Sequence, residues 1–169
     1  SMKKLLNISD LNKKDILQIF EFADALNINK LMRPLSNYTI GLIFEKYSTR
    51  TRLSFQVGIQ KLGGNIVDIN LNELNLKRSE SFEDTFKILS LYLDALVYRT
   101  DDHQKLVKAQ ANFNKPIING LSDLSHPCQI ISDIYTLKKI FKDFENLNIS
   151  WFGDMNNVLF SYFEFLKIF

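Results

Sequence analysis

The sequence lacks several features that would place it in a specialised class. It has one cysteine, Cys128, so an intrachain disulfide framework is excluded. It contains no low-complexity run, no signal peptide and no apolar run long enough to span a bilayer. We therefore expect a soluble, cytoplasmic protein with no membrane partner.

An excess of charge of either sign is also missing. The 21 Lys and Arg residues nearly balance the 19 Asp and Glu residues, which gives a formal net charge of +2. Non-specific binding to nucleic acid requires a broad basic field, so we expect no nucleic-acid partner. Any anion that the protein binds must therefore be held by a local site.

Four common sequence signals of chemistry are absent as well. The sequence has no metal-ligand spacing, no dinucleotide fingerprint, no Walker-type loop and no nucleophile elbow. We therefore expect no metal site and no cofactor. The 169 residues are still enough for one well-packed domain that needs neither disulfides nor metal for its stability.

Short apolar runs and helical patterns alternate along the chain. A first helix is predicted from Ser9, as its N-cap, to Leu26. Further helices are predicted at 53–62, 80–92, 103–113 and 127–141. Strands are predicted at 38–44, 65–69, 95–98, 116–118 and 148–152. The alternation predicts an α/β fold with a mostly parallel sheet and helices on both faces, and we expect Trp151 to lie in its core.

The residues after the first predicted strand favour phosphate binding. They are Ser48, Thr49, Arg50, Thr51 and Arg52, and they lead directly into a helix. A helix N-terminus offers free N–H groups and partial positive charge, hydroxyls add neutral donors, and guanidinium groups bind phosphate oxygens in pairs. The same residue types are also common N-caps and exposed helix residues, so structural roles stay open, in particular an ion pair for Arg52.

Three more polar residues are expected at the same edge of the sheet. Arg99 follows the third predicted strand, and His126 and Gln129 follow the fourth. Ligands of parallel sheets bind at the carboxyl ends of the strands. Each residue alone fits a structural role, but three of them beside an anion site favour a joint function. Nearby, we expect Cys128 to be a packing residue and His103 to be solvated.

These segments resemble a known family. The run Phe44-Glu-Lys-Tyr-Ser-Thr-Arg-Thr-Arg52 closely resembles the phosphate-binding signature of aspartate and ornithine carbamoyltransferases. The resemblance continues in the family's order through Asp94-Ala-Leu-Val-Tyr-Arg99 and Ile118-Asn-Gly-Leu-Ser-Asp-Leu-Ser-His-Pro-Cys-Gln129. The second of these and the segment 153–157 are similar to the ornithine branch. The resemblance covers essentially the whole chain, but only about half of a family member.

The resemblance implies a role for each site residue. The implied ligands of carbamoyl phosphate are Ser48, Thr49, Arg50, Thr51, Arg99, His126 and Gln129. Arg50 would be the principal cation for the phosphate. Thr51, Arg99 and His126 would be catalytic because they would stabilise charge on the carbamoyl carbonyl oxygen, as an oxyanion hole does. The implied reaction transfers the carbamoyl group to the δ-amine of ornithine and gives citrulline and phosphate.

The chain departs from the family in two places. In the loop 71–79, a neighbouring subunit of a homotrimer would contribute a Gln to the site, but this sequence has Asn75 there and Lys77 in place of a Gly. The resemblance also divides the chain into a carbamoyl-phosphate-binding domain, 1–152, and the start of an ornithine-binding domain, 153–169, where Asn157 would help to bind ornithine. Most of the second domain is missing, so we expect a truncated chain with negligible turnover by itself.

Other interpretations stay open. The chain could be a non-catalytic module that binds carbamoyl phosphate or phosphate, or a carbamoyltransferase for another acceptor such as aspartate or putrescine. An unrelated α/β anion-binding domain would require the ordered set of motifs to be a coincidence.

Overall fold

The computed structural model describes residues 4–73 and 81–169, and a four-stranded sheet forms its centre. The strands are β1 (Thr39–Phe44), β2 (Asn65–Ile69), β3 (Ala95–Arg99) and β4 (Ile117–Asn119). They lie in the order β2-β1-β3-β4, and every pair is parallel. The sheet confirms the predicted α/β fold class.

In the described residues, six α-helices and two short 3₁₀ turns connect and cover the strands. The helices are α1 (Lys13–Ile28), α2 (Thr49–Lys61), α3 (Phe82–Tyr92), α4 (His103–Asn112), α5 (Pro127–Ile140) and α6 (Asn157–Ile168); the 3₁₀ turns are Ile8–Asp10 and Phe144–Asn146. Helix α2 ends before Gly63, whose φ of 86° favours glycine. Within the described ranges, no helix combines the length and the apolar character that crossing a membrane requires.

Alternate residues of the strands pack on opposite faces of the sheet. Ile40 and Leu42 of β1 belong to a buried cluster with Ile59 of α2. Ile43 points to the other face and belongs to a cluster with Phe86 of α3. Because both faces of β1 and β3 are buried, these two strands are nearly continuous apolar runs, as the sequence suggested. A third cluster joins α1, α5 and α6.

The predicted strand at 148–152 is wrong, since 147–152 is irregular and largely exposed. Phe152 is 93% exposed, and Trp151, which was expected in the core, is 37% exposed. A strand needs a neighbour, and the outer edge of β4 is already occupied by Leu5. The N–H of Leu5 donates to Ile117 O (2.9 Å), and the N–H of Asn119 donates to Leu5 O (2.8 Å).

The predicted N-cap of the first helix is also wrong. Ser9 lies inside the first 3₁₀ turn, and α1 begins at Lys13. The true N-cap is Asn12, whose Oδ1 accepts a hydrogen bond from the N–H of Asp15 at 2.8 Å, while the Asp15 carboxylate accepts from the N–H of Asn12. This reciprocal pair satisfies two backbone donors that the start of a helix would leave free.

Candidate functional site

The strand order reverses between β1 and β3, because β1 connects to β2 on one side and β3 lies on the other. Parallel sheets bind ligands outside the carboxyl ends of their strands at such a point. A cleft of about 760 Å³ lies there. It is lined by Ser48, Arg50, Thr51, Ser54, Phe55, Arg99, Leu121, His126, Cys128, Gln129 and Ser132. The structure therefore brings six of the predicted site residues together, from three different strand ends.

The N-terminus of α2 forms one wall of this cleft. Ser48 is the N-cap, yet its hydroxyl makes no capping hydrogen bond in the described part of the chain. The first turn carries no acidic residue, so the partial positive charge of the helix end is not offset locally. Thr49, which was predicted to bind phosphate, does not line this cleft; together with Ser48 it borders an adjacent depression of about 670 Å³.

Most nearby cations are paired with carboxylates. Arg52 binds Asp68 with 2.7 Å between Nη2 and Oδ1, which confirms the structural ion pair that was considered for it. Lys46 likewise pairs with Asp101. Arg50, on the same helix as Arg52, has no hydrogen bond or ion pair from its side chain to any residue in 4–73 or 81–169. A guanidinium that lines a cleft without a counter-charge favours an anionic ligand.

Arg99 and His126 add two unsatisfied groups to the same cleft. Arg99 is the last residue of β3, and its Nε is buried without a hydrogen-bond partner among the described residues. His126 is 9% exposed, and its Nδ1 is also buried without a hydrogen-bond partner among the described residues. Leaving a buried polar atom unpaired costs about 1–3 kcal/mol, so such atoms at a cleft point to a ligand that would satisfy them.

Burial lowers the pKa of His126 below its ordinary value, and the nearby positive charge of Arg99 lowers it further, against an opposing effect of Asp133. The imidazole is therefore neutral near pH 7, with one N–H donor and one acceptor nitrogen. A neutral imidazole beside a guanidinium is suited to holding a carbonyl oxygen on which negative charge develops.

The loop between β4 and α5 carries His126 and is fixed by the buried amide of Asn119. The Nδ2 of Asn119 donates to Leu6 O (2.9 Å) and Ser125 O (3.1 Å), and its Oδ1 accepts from the N–H of Leu121 (2.9 Å). Leu121 itself has a φ of 119°. A non-glycine residue holds such a conformation only when its surroundings over-determine it, as they often do beside a binding site.

His103 belongs to the same network, so the expectation that it is solvated is wrong. It is 5% exposed, and its Nδ1 lies 2.7 Å from Ser122 Oγ. Its backbone N–H donates to Asp123 Oδ1 (2.9 Å). The sequence placed His103 at a polar helix start, but the β4–α5 loop folds over that start and buries it.

Glu45 is a contributor to the site that the sequence reasoning missed. Its carboxylate accepts hydrogen bonds from the hydroxyls of Tyr98 (2.7 Å) and Thr100, and its N–H donates to Arg99 O (3.0 Å). Lys105 lies 3.4 Å from the same carboxylate. Glu45 thus ties the loop that leads to Ser48 onto the end of β3. Its position directly after an apolar strand was the available signal.

Gln129 and Cys128 occupy the first turn of α5. The Nε2 of Gln129 donates to Asp133 Oδ1 at 2.9 Å. The sulfur of Cys128 lies 3.7 Å from Asn119 O, and burial raises the pKa of its thiol to about 12. The group is therefore a neutral thiol, which agrees with the prediction of a packing residue and not a nucleophile.

Among the described residues, the predicted ornithine-binding residue Asn157 lies apart from this set. Asn157 is the first residue of α6, and its Nδ2 donates to Ser122 O (2.7 Å) in the β4–α5 loop, outside the cleft lining. Asn75 and Lys77, with the cross-subunit contact proposed for that loop, lie outside the described residues.

A parallel α/β sheet that gathers hydroxyls and two guanidinium groups at its topological switch point, without carboxylate partners among the described residues, is typical of α/β domains that bind anions. Residues 3–139 match the family model of the aspartate/ornithine carbamoyltransferase carbamoyl-phosphate-binding domain. The chain belongs to this family, as the motifs of the sequence predicted.

Individual relatives agree with this assignment. The chain is 43% identical to the ornithine carbamoyltransferase of Methanosphaera stadtmanae over 93% of its length, and 40% identical to that of Bacillus subtilis over 94%. Among solved structures, it resembles the ornithine carbamoyltransferase of Burkholderia thailandensis over 99% of its length, with a TM-score of 0.88 and 32% identity. The chain covers 52%, 50% and 59% of these three proteins, so it spans about half the length of the relatives it matches.

Proposed function

We propose that the cleft binds carbamoyl phosphate. The observation that carries this proposal is the convergence of Arg50 and Arg99, both without carboxylate partners in the described chain, with the unsatisfied Nδ1 of His126 at the N-terminus of α2. An anion with a phosphate at one end and a polar carbonyl at the other would satisfy all three groups.

The two ends of the ligand would meet different parts of the cleft. The phosphate belongs at the N-terminus of α2, where the hydroxyls of Ser48 and Thr51, the free backbone N–H groups of the first turn and Arg50 supply donors. Thr49, whose side chain borders the adjacent depression, would contribute through its backbone N–H. The carbamoyl group would then extend towards β3 and α5. Its carbonyl oxygen would meet Thr51, Arg99 and His126, and its amide would meet Gln129.

We infer that, in a protein with a complete acceptor site, this half serves transfer of the carbamoyl group to the δ-amine of ornithine. The neutral amine attacks the carbonyl carbon, negative charge builds on the oxygen beside Arg99 and His126, and phosphate leaves towards Arg50. Phosphate could accept the amine's proton, so no separate protein base is required. The names of the relatives, all ornithine carbamoyltransferases, support this acceptor.

The assembly that we propose is a homotrimer, in which Asn75 of a neighbouring subunit approaches the carbamoyl phosphate. Asn157 would help to bind ornithine. Without an acceptor half, the chain is expected to bind carbamoyl phosphate and to show negligible turnover. A role as a binding module alone is the second candidate, and it is favoured by the six predicted carbamoyl-phosphate ligands that line one cleft within this chain.

Calorimetric titration with carbamoyl phosphate tests the first step, with inorganic phosphate as the comparison ligand. We expect the chain to prefer carbamoyl phosphate. Arg50→Ala should weaken binding of both ligands by about 2–5 kcal/mol, because the dianion would lose its main counter-charge. Arg52→Ala is the matched control: it removes the same group two residues away, where Asp68 already engages it. Equal losses in the two variants, or none in either, would contradict the proposed site.

A chimera tests the second step. In it, the chain replaces the equivalent half of the Bacillus subtilis relative. Citrulline formation would show that this half supports transfer, whereas carbamoyl-phosphate binding without turnover would favour the binding module. In an active chimera, His126→Ala should reduce kcat more than carbamoyl-phosphate affinity, because the imidazole acts on charge that appears in the transition state.

A further inference from the structure

Helix α6 makes direct polar contact with the loop that carries His126. Asn157 donates to Ser122 O, and Ser161, one turn later, reaches the end of the same loop. Ser161 lies outside the motif that contains His126, since 35 residues separate the two. The contact is a product of the fold alone.

Ser161 is completely buried, and its hydroxyl makes three polar contacts. Its oxygen accepts a hydrogen bond from the backbone N–H of His126 (2.9 Å) and lies 3.1 Å from the Ser125 hydroxyl, and its proton is donated to Asn157 O (2.9 Å). A serine hydroxyl has one donor and two acceptor sites. Either hydroxyl can donate in the contact between Ser125 and Ser161.

His126 needs an external anchor at this point. It is the N-cap of α5, so its N–H lies outside the hydrogen bonds of the helix, and its side chain does not cap α5 in the described chain. The ring instead lines the cleft, with its Nδ1 unsatisfied. The hydrogen bond to Ser161 therefore fixes the backbone of His126, while the imidazole lines the cleft.

Separate contacts hold α6 in place. The hydroxyl of Tyr162 donates to Asp133 Oδ2 (3.0 Å), the Glu164 carboxylate accepts from the N–H of Ser9 (3.3 Å), and Phe165 is buried in the cluster shared by α1 and α5. The helix is thus a fixed support, and Ser161 is the point at which it meets the end of the loop that bears His126.

We propose that Ser161 is a positioning residue for His126, so that α6 sets the place of the imidazole at the carbamoyl end of the cleft. This inference rests on the proposed function, which places the carbamoyl group of the ligand beside His126. It predicts selectivity: loss of the Ser161 hydroxyl weakens binding of carbamoyl phosphate, whose carbonyl reaches His126, and spares inorganic phosphate, which is held by Arg50 and the N-terminus of α2.

The test compares Ser161→Ala with Ser161→Thr, which keeps a hydroxyl, and with Ser90→Ala as a matched control. Ser90 is another buried helical serine, and it donates to Lys87 O far from the cleft. Ser161→Ala should weaken carbamoyl-phosphate binding about fivefold, leave phosphate binding unchanged and shift the ring resonances of His126, because one net hydrogen bond is lost. Ser161→Thr should restore most of the affinity, and Ser90→Ala should change none of these quantities.

A second measurement uses the unmodified chain. The backbone N–H of His126 should exchange with solvent as slowly as the backbone N–H groups of α6, because its acceptor, the Ser161 hydroxyl, belongs to α6. Fast exchange at His126 would overturn the proposal. A folded Ser161→Ala variant with unchanged carbamoyl-phosphate affinity would also overturn it, as would equal losses for both ligands or equal losses in the Ala and Thr variants.

These outcomes are distinct from failure of the proposed function. If the unmodified chain does not bind carbamoyl phosphate, the function assigned to the cleft is wrong. The exchange rate and the ring resonances of His126 would still decide whether Ser161 holds that residue.

Discussion

His126 and Arg99 illustrate how two side chains define each other's chemistry. The guanidinium disfavours protonation of the imidazole, and burial acts in the same direction. Of these two groups, only the guanidinium is therefore charged near pH 7, and the neutral imidazole adds a donor that can face a ligand. An anion would reverse part of this balance, because it would offset the positive charge of Arg99.

This balance predicts two titrations of the His126 ring. In the free protein, the ring should titrate below its ordinary pKa of about 6.5, because burial and Arg99 both disfavour the cation. With saturating phosphate, its pKa should rise, because the bound dianion favours the protonated ring. NMR titration of the ring C–H resonances measures both values.

His103 is the internal control for this experiment. Burial lowers its pKa as well, but it does not line the cleft, so its titration should not respond to phosphate. Phosphate-dependent shifts of equal size at His103 and His126 would indicate a change of the whole fold and would contradict a local effect.

The sequence allowed prediction of the residues that follow strands, and of little else in the site. The convergence of Arg50, Arg99 and His126 could be predicted because the carboxyl ends of parallel strands must share one edge. The contact between Ser161 and His126 could not be predicted in this way, because Ser161 lies inside a helix and its partner is a backbone N–H. His103 was misjudged because a polar helix start is usually exposed, and a single sequence does not show which loop will cover it.

At the scale of elements, the loop between β1 and α2 depends on a cross-strand anchor. Glu45 at the end of β1 binds Tyr98 and Thr100 of the neighbouring strand end. The Tyr98 side chain is fully buried, so its hydroxyl depends on the carboxylate. Burial and the carboxylate both raise the pKa of Tyr98, which keeps the phenol protonated as a donor.

We expect Glu45→Ala to lower the free energy of unfolding by about 1–3 kcal/mol, because it leaves the Tyr98 hydroxyl buried without its acceptor. In a Tyr98→Phe background, the same change should cost less. Urea denaturation of the four proteins of this double-mutant cycle gives the coupling between the two residues. Additive losses would show that the hydrogen bond contributes nothing to the anchoring of the loop.

Four strands and the helices between them could be predicted because their apolar spacing is regular. Helices α4 and α5 end within one residue of prediction. The segment 148–152 has the apolar and β-branched residues that are typical of a strand. A strand also needs a neighbouring strand to pair with, and its composition does not provide one. The edge of β4 was taken by Leu5, a pairing between distant parts of the chain that local patterns do not encode.

At the scale of the whole molecule, the central strands of the sheet have more hydrogen-bonded neighbours than the edge strand β2. β1 pairs with β2 on one side and β3 on the other, whereas β2 pairs only with β1 among the described residues. Val67 in β2 is 42% exposed. The site is built mainly on the ends of β1, β3 and β4, so it rests on the better-supported part of the sheet.

Native-state hydrogen exchange should show this difference. We expect the amides of β1 and β3 to exchange last, through global unfolding, because their hydrogen bonds and side chains are buried on both faces. The amides of β2 should exchange earlier, through local opening. Equal protection in β1 and β2 would mean that the β2 edge is covered in solution.

The pairing of Leu5 with β4 has a consequence for the order of events during synthesis. Leu5 emerges from the ribosome before any strand of the sheet. Its partners Ile117 and Asn119 belong to β4 and emerge only after β1, β2 and β3. We expect β1, α2 and β2 to fold first as a unit, because their contacts are close in the chain. Leu5 is therefore made before β1 but is among the last residues to dock, and it stays unpaired until translation has passed the fourth strand.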